Sequence, residues 1–274
     1  MSYTAPTKAV PLAPLLLLAA LAQPAQAATT LTLQPDEAAS QDVFVYEFAI
    51  PGAFGIATAA RVTNLDSQTL NNLSPLPAVP FGNFLGSSNT VPLIGAQGES
   101  RAHDTRSLLR FDPGGLGIAA GQVVSASLRL FALPGLPPFD NPTPAQAITT
   151  DLHRVTENWS ETGVTWETQP AVSGPVTSVT QDGVNQWVSF DVTALVRDWL
   201  ADPAGNFGVE LRQPDIVIAA SGKPLASLYA SSAWADAGLR PMLEISAIPE
   251  PSTAALLAGG LGLFGWVGRR RQQA

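Results

Sequence analysis

Between positions 186 and 212 the hydrophobic period changes twice, and the rest of the chain is organised around this span. Trp187, Ser189 and Asp191 alternate with Val188, Phe190 and Val192, the period-two pattern of a strand with one buried face. Val192, Leu195, Val196, Trp199 and Leu200 then fall at i, i+3, i+4, i+7 and i+8. That spacing predicts a short helix with one apolar stripe, its first N–H groups capped by Asp191 or Thr193. Asp202-Pro203-Ala204-Gly205-Asn206 stops the helix, because proline cannot continue it and Gly or Asn tolerates positive φ. A strand over 207–212 follows. The Trp and Phe residues of this unit stand where they are expected to face a core.

The same pattern predicts strands at 42–46, 106–111, 148–155, 225–231 and 241–246. Over 123–131, Val123, Ser125, Ser127, Arg129 and Phe131 alternate with Val124, Ala126, Leu128 and Leu130, a half-buried strand. The stretch 51–100 has no helical period and carries Gly, Pro, Asn and Ser throughout, so it is predicted as a long loop with at most short strands such as 91–94. Pro134, Pro137, Pro138, Pro142 and Pro144 make 133–147 an extended connection. Ser160 and Gly163 predict a tight turn between Trp159 and Trp166, whose indoles either fill the core or form a stacking platform. Short strands, frequent turns and almost no helix predict an all-β fold, two packed antiparallel sheets in a jelly-roll-like sandwich with one short helix.

Composition changes this picture at the two ends. The chain has 274 residues, 46% of them hydrophobic, and no cysteine, enough to bury a core without disulfides. Lys8, an apolar run over 10–21 and the small-x-small pattern Ala25-Gln26-Ala27 predict a secretory signal peptide over 1–27, cleaved before Ala28. The run falls short of the ~20 residues that span a bilayer, and Pro11, Pro14 and Pro24 punctuate it. At the other end, Pro249-Glu250-Pro251 precedes an apolar stretch over 253–268 and then Arg269-Arg270-Arg271. As a helix that stretch would cover about 24 Å, slightly short for a bilayer core, with basic residues to hold the cytoplasmic side.

The order of motif, apolar helix and basic cluster over 248–274 resembles the PEP-CTERM sorting signal of Gram-negative bacteria that export exopolysaccharide. The resemblance implies an exported protein, transiently membrane-associated through its tail. An exosortase-type enzyme would then process that tail, leaving the protein at the cell surface or in the extracellular matrix. A plain C-terminal anchor is the alternative.

Setting aside Lys8, Arg269, Arg270 and Arg271 leaves 10 of the 14 basic residues, and setting aside Glu250 leaves 21 of the 22 acids. Region 28–248 is thus formally −11, which argues against binding through nucleic-acid phosphates and leaves sugar recognition open.

Within that region a second resemblance appears. Arg106-Ser107-Leu108-Leu109-Arg110-Phe111-Asp112, Ala126-Ser127-Leu128-Arg129-Leu130, and Trp159-Ser160-Glu161 with Val164-Thr165-Trp166 come first. Phe190-Asp191-Val192-Thr193 with Trp199, Asn206-Phe207-Gly208 and Arg240-Pro241-Met242-Leu243 follow. This order over 42–246 resembles DNRLRE domains, β-sandwich modules of surface proteins grouped with a carbohydrate-binding module family. The chain departs from that family in its long 51–100 segment. It also has Ser231-Ser232-Ala233 where a Ser-Glu pair commonly precedes the final strand.

Candidate chemistry is sparse. His103 and His153 are the only histidines and have no metal-ligand spacing; they read as a solvated loop residue and a surface strand residue. Glu157 and Glu161 are best read as a solvated turn, and no nucleophile elbow or phosphate-cradling loop is present. No cofactor is expected. Asp202 to Asn206 has the oxygens for a structural calcium ion, but capping and turn formation account for the same residues. A noncatalytic surface module that binds exopolysaccharide or a cell-surface glycan is the reading favoured here. The alternatives are a structural or adhesion matrix protein without a sugar site and, last, a polysaccharide lyase or hydrolase. Exposure of Trp159, Trp166, Trp187 and Trp234 discriminates the first two. Trp234, in a Ser/Ala/Asp/Gly-rich stretch at the sandwich edge, is the predicted ligand contact.

Overall fold

Alternation at period two builds two antiparallel sheets. The computed structural model describes residues 27–34, 41–50, 60–61, 84–87, 93–94, 100–101, 103–135, 140–161, 163–164, 168–214, 217–223 and 225–248. The strands are β1 (Thr29–Leu33), β2 (Gln41–Ile50), β3 (Ala60–Arg61), β4 (Phe84–Ser87), β5 (Leu93–Ile94), β6 (Ser100–Arg101) and β7 (His103–Arg110). After them come β8 (Val123–Ala132), β9 (Ile148–Val155), β10 (Val172–Gln181), β11 (Gln186–Asp191), β12 (Val209–Arg212), β13 (Ser227–Ala230) and β14 (Met242–Ala247). One α-helix, α1 (Thr193–Ala201), stands among the described residues. The first sheet runs β1-β14-β8-β13-β4, with β11 on the opposite edge of β8, since Ser127 pairs with Asp191 on one side and Glu244 on the other. The second runs β10-β9-β12-β7-β2-β3, and β5 pairs with β6 apart from both.

The core lies between the sheets. Ala126, Leu128, Leu130, Phe190, Tyr229, Leu243 and Ile245 face inward from the first, and Leu109, Leu152, Val209 and Leu211 from the second. On β8 the predicted alternation slips by one residue at its start: Val123 is buried and Val124 exposed. The register to β14 shifts between Ser246 and Ala247, so the local bulge turns one extra residue outward. Inside, the Thr150 hydroxyl bonds the Ser227 hydroxyl at 3.1 Å and the Tyr229 hydroxyl at 3.3 Å. Burial pushes the Tyr229 phenol above its usual range, so it stays protonated and shares this small network.

Helix α1 closes one end of the sandwich with the predicted stripe: Val192, Leu195, Val196 and Trp199 are buried and Leu200 is partly so. Asp191 Oδ1 accepts the Thr193 N–H at 2.9 Å and the Thr193 hydroxyl at 2.6 Å. The Thr193 hydroxyl in turn accepts the Ala126 N–H. Of the two predicted caps, Asp191 takes the first helix N–H, whereas the Thr193 hydroxyl caps none and ties the start of the helix to β8 instead. The hydroxyl bond, followed by the backbone one, holds the Asp191 carboxyl below its usual range. Arg197 donates to the carbonyls of Val123 and Val124, fastening the helix to the start of β8.

Beyond Pro203–Gly205, Asn206 donates to the Phe111 carbonyl and accepts the Gly208 N–H, so β12 enters the second sheet through a braced turn. This agrees with the cap-and-turn reading of Asp202 to Asn206.

Three sequence expectations are corrected. Trp187 faces outward from β11 and is only half-buried, because Val188 and Phe190 take the core positions; alternation identifies two faces without saying which is inner. His153 is 8% exposed rather than a surface residue, and its Nδ1 bonds the Ser173 carbonyl oxygen at 2.8 Å under the β9–β10 pairing. His103 begins β7 instead of lying in a loop. Within 51–100 the described residues belong to short strands, and β4 pairs with β13 at an edge of the first sheet; the rest of that predicted loop, the apolar tail and Trp166 lie outside the described residues.

Candidate functional site

The described tryptophans fall into two classes. Trp159 (6% exposed) and Trp199 (3%) are core residues. The Trp159 indole donates to the Phe207 carbonyl at 2.8 Å and packs with Val43, Val45, Leu108 and Val155 against the outer face of the second sheet. Trp187 and Trp234 are half-buried, and both reach the outer face of the first sheet.

Register assembles this face. Trp187 on β11 sits opposite Phe131 on β8, with ring centroids 5.5 Å apart and planes at 75°, an edge-to-face contact. The Arg129 guanidinium lies 4.9 Å from the Trp187 ring centre, and its Nη1 donates to Glu244 Oε1 on β14 at 2.8 Å. A ladder of indole, guanidinium and carboxylate thus crosses three strands.

Trp234 belongs to the β13–β14 connection. Its N–H donates to the Ser231 carbonyl, and its carbonyl accepts the Arg240 Nε–H at 2.8 Å. Its ring packs with Phe131, Leu228 and Leu239 against buried Leu133 and Ala230. The two indoles therefore flank one apolar cluster, and Phe131 is common to both. Sequence spacing pointed to Trp234 from its loop composition. It missed Trp187 and Arg129 as site residues, because their meeting depends on the pairing of β8 with β11.

The same connection is tied to the second sheet. The Ser232 N–H and hydroxyl donate to the Asp42 carboxylate at 2.7 and 2.6 Å. Ser231-Ser232-Ala233 thus retains a polar link to β2 where the resemblance led us to expect a Ser-Glu pair. Asp42, Arg110, Ser232 and Pro241 border a narrow crevice beside it.

On the outer face of the second sheet Glu210 stands opposite His153 and pairs with Arg212. These are residue types that a lyase or hydrolase would use. Glu210 is fully buried, however, and its Oε2 is buried without a partner, so a polymer has no approach to it. Among the described residues no group of three or more potential metal ligands converges, and no helix is long and apolar enough to cross a membrane. Ala27 and Ala28, at the predicted cleavage site, are exposed; Ala25, Pro249, Glu250, Pro251 and Arg269 to Arg271 lie outside the described residues.

Comparison with known families gives two matches. Residues 247–271 match the PEP-CTERM protein-sorting motif, the mark of an exported protein sorted by an exosortase; the match begins on the last residue of β14. Residues 84–220, half of the chain, match Carbohydrate-binding module family 96. That span holds Arg129, Phe131 and Trp187 and ends before Trp234 and Glu244. No curated protein matches the chain. With half its length matched, and with the antiparallel sandwich found here, the chain belongs to carbohydrate-binding module family 96 and carries a PEP-CTERM sorting motif.

Proposed function

We propose that region 28–248 is a noncatalytic module that binds polysaccharide on the outer face of the first sheet, through Trp187, Phe131 and Trp234. The observation that carries this reading is the pair of partly exposed indoles about Phe131, while the other described tryptophans are buried in the core. Indole faces and edges suit the C–H surfaces of sugar rings, and each ring contributes only a few kcal/mol. Single sugars then bind weakly, and retention needs a polymer that engages several sites at once. Affinity electrophoresis through gels containing different polysaccharides tests this. The wild type should be retarded in at least one gel. Trp234→Ala and Trp187→Ala should each lose most of that retardation while keeping the wild-type melting temperature to within a few degrees. Equal shifts for all three proteins would remove the indoles from the site. No shift in any polymer would favour a structural or adhesion protein of the matrix.

The segments 1–27 and 249–274 are read as a signal peptide and a sorting segment that bring this module to the surface of an exopolysaccharide-producing Gram-negative cell. The tail associates with the membrane until it is processed. Intact-mass analysis of surface material from the native host should find a chain that starts at Ala28 and lacks the apolar tail. Residues beyond Trp266 still attached to the mature protein would point to a plain anchor instead.

A further inference from the structure

We infer that β1 is the docking edge for a second copy of this chain, the two β1 strands pairing antiparallel about a two-fold axis at Leu31. The contact itself does not depend on the polysaccharide reading above; only its consequence for binding does.

A sheet edge presents unpaired N–H and C=O groups, and proteins usually blunt it with charge, proline, a bulge or a covering element. β10 carries Pro175 and two register irregularities. β11 ends on Asp191 and lies beside β10, while β4 lies against β2 and β7. β1 has none of these devices. Its residues, Thr29-Thr30-Leu31-Thr32-Leu33, include no charge, proline or glycine, and all five pair with β14 in unbroken register. Among the described residues no strand pairs with its other side. With the predicted cleavage before Ala28, a single residue precedes this strand in the mature chain.

The strand is also complementary to itself. A two-fold axis at Leu31 sets Leu31 opposite its own copy, Thr30 opposite Thr32 and Thr29 opposite Leu33. In an antiparallel ladder a residue turns both backbone groups to the same neighbour, and the next residue turns both to the other side. Whichever alternate set of β1 bonds β14, this register places outward residues opposite outward residues. The side chains agree with it. Leu31 and Leu33 are half-buried and Leu33 packs on the core, whereas Thr30 and Thr32 are exposed on the outer face. Pairing covers the leucines further and sets threonine beside threonine, a favourable cross-strand contact. Because the same patch serves both copies, the assembly closes at two.

The joined sheet runs β11-β8-β14-β1 and continues through the second copy in reverse order, so both outer faces lie on one side. Seven strand spacings, roughly 34 Å, separate the two β11 strands. If each face holds polysaccharide as proposed, a weak single grip becomes a bivalent one. A contact of five residues is small, which puts the dimer at the weak end of protein association. The formal charge of −11 on each body opposes it further, over a screening length of about 10 Å at 0.1 M salt. Added salt should therefore strengthen the pairing.

Sedimentation of mature protein recovered from the surface of the native host tests this, from about 10 µM to 1 mM at low and high salt. Wild type should pass from monomer to dimer over that range, and more readily at high salt. Thr30→Lys/Thr32→Lys sets like charges opposite one another across the axis and should weaken association about tenfold. Thr30→Glu/Thr32→Lys alters the same two exposed positions but sets opposite charges across the axis, with the new lysine beside Glu244 in its own sheet. It should associate at least as well as wild type. Both variants should melt within a few degrees of wild type. Wild type that stays monomeric to about 1 mM at high salt would overturn the proposal. Retention of that monomer in polysaccharide gels would leave the binding reading intact. Association unchanged by Thr30→Lys/Thr32→Lys would move the contact off this edge and overturn the proposal as well. Equal loss in both variants would overturn the register at Leu31.

Discussion

Trp199→Ala should destabilise the protein by about 3–5 kcal/mol, the cost of removing a large core side chain and leaving a cavity. Trp199 is 3% exposed and shares its stripe with Leu195 and Val196, in the cluster that also holds Phe190 and Leu128. Helix α1 has nine residues, too few to hold itself together in water, so the packing of this stripe is what keeps it helical. The indole Nε1 is buried without a hydrogen-bond partner. Trp199→Phe should therefore be far milder, because it keeps most of the volume and removes a donor that folding has stripped of water. Urea unfolding of both variants gives the comparison. For a domain of this size the alanine variant should melt roughly 10 °C lower. An unchanged melting temperature would mean that α1 does not seal the core.

Gly208→Ala should be nearly as damaging, for a backbone reason. Gly208 has φ 83°, and a methyl group there would lie 2.1 Å from the Leu109 carbonyl oxygen and 3.0 Å from the Arg110 Cα. The glycine sits where β12 enters between β7 and β9, its carbonyl accepting the Val155 N–H. Left-handed strain of about 1–3 kcal/mol adds to a backbone displacement of similar size, about 3–5 kcal/mol together. Gly222 supplies the control. Its φ is 82°, but no atom lies within 4 Å of an added methyl. Gly222→Ala should cost about 1 kcal/mol, the conformational part alone. Equal losses at the two positions would show that the contact with Leu109 gives way without cost.

What could be read from the chain beforehand follows from which elements have one buried face. β11 coincides with its alternating stretch, and α1 with its 3.6-residue stripe, because in each the apolar positions meet one core. β9 also keeps its expected bounds, although Leu152 meets the core between the sheets and Val155 the cluster outside the second. β10 was not anticipated. It is an edge strand with Gly174 and Pro175 and two register irregularities against β9, half of its residues are exposed, and its inward positions, Thr177, Val179 and Gln181, are mostly polar, so they impose no hydrophobic period. β1 escaped for the same reason: five residues, none fully buried. Trp234 could be singled out because the small and polar residues around it mark a loop. Trp187 was assigned to the wrong face, and its contact with Arg129 arises between residues 58 positions apart. Only strand pairing brings such groups together.

The pairing of β1 with β14 has an architectural consequence. Thr29 stands opposite Ala247, so the first and last strands of the sandwich lie side by side and the body is almost a closed ring. A host protein taking it as an insert would need to open a loop by only about one strand spacing, ~5 Å. Nature and engineers alike can move such a cassette between chains, because it enters and leaves by the same door.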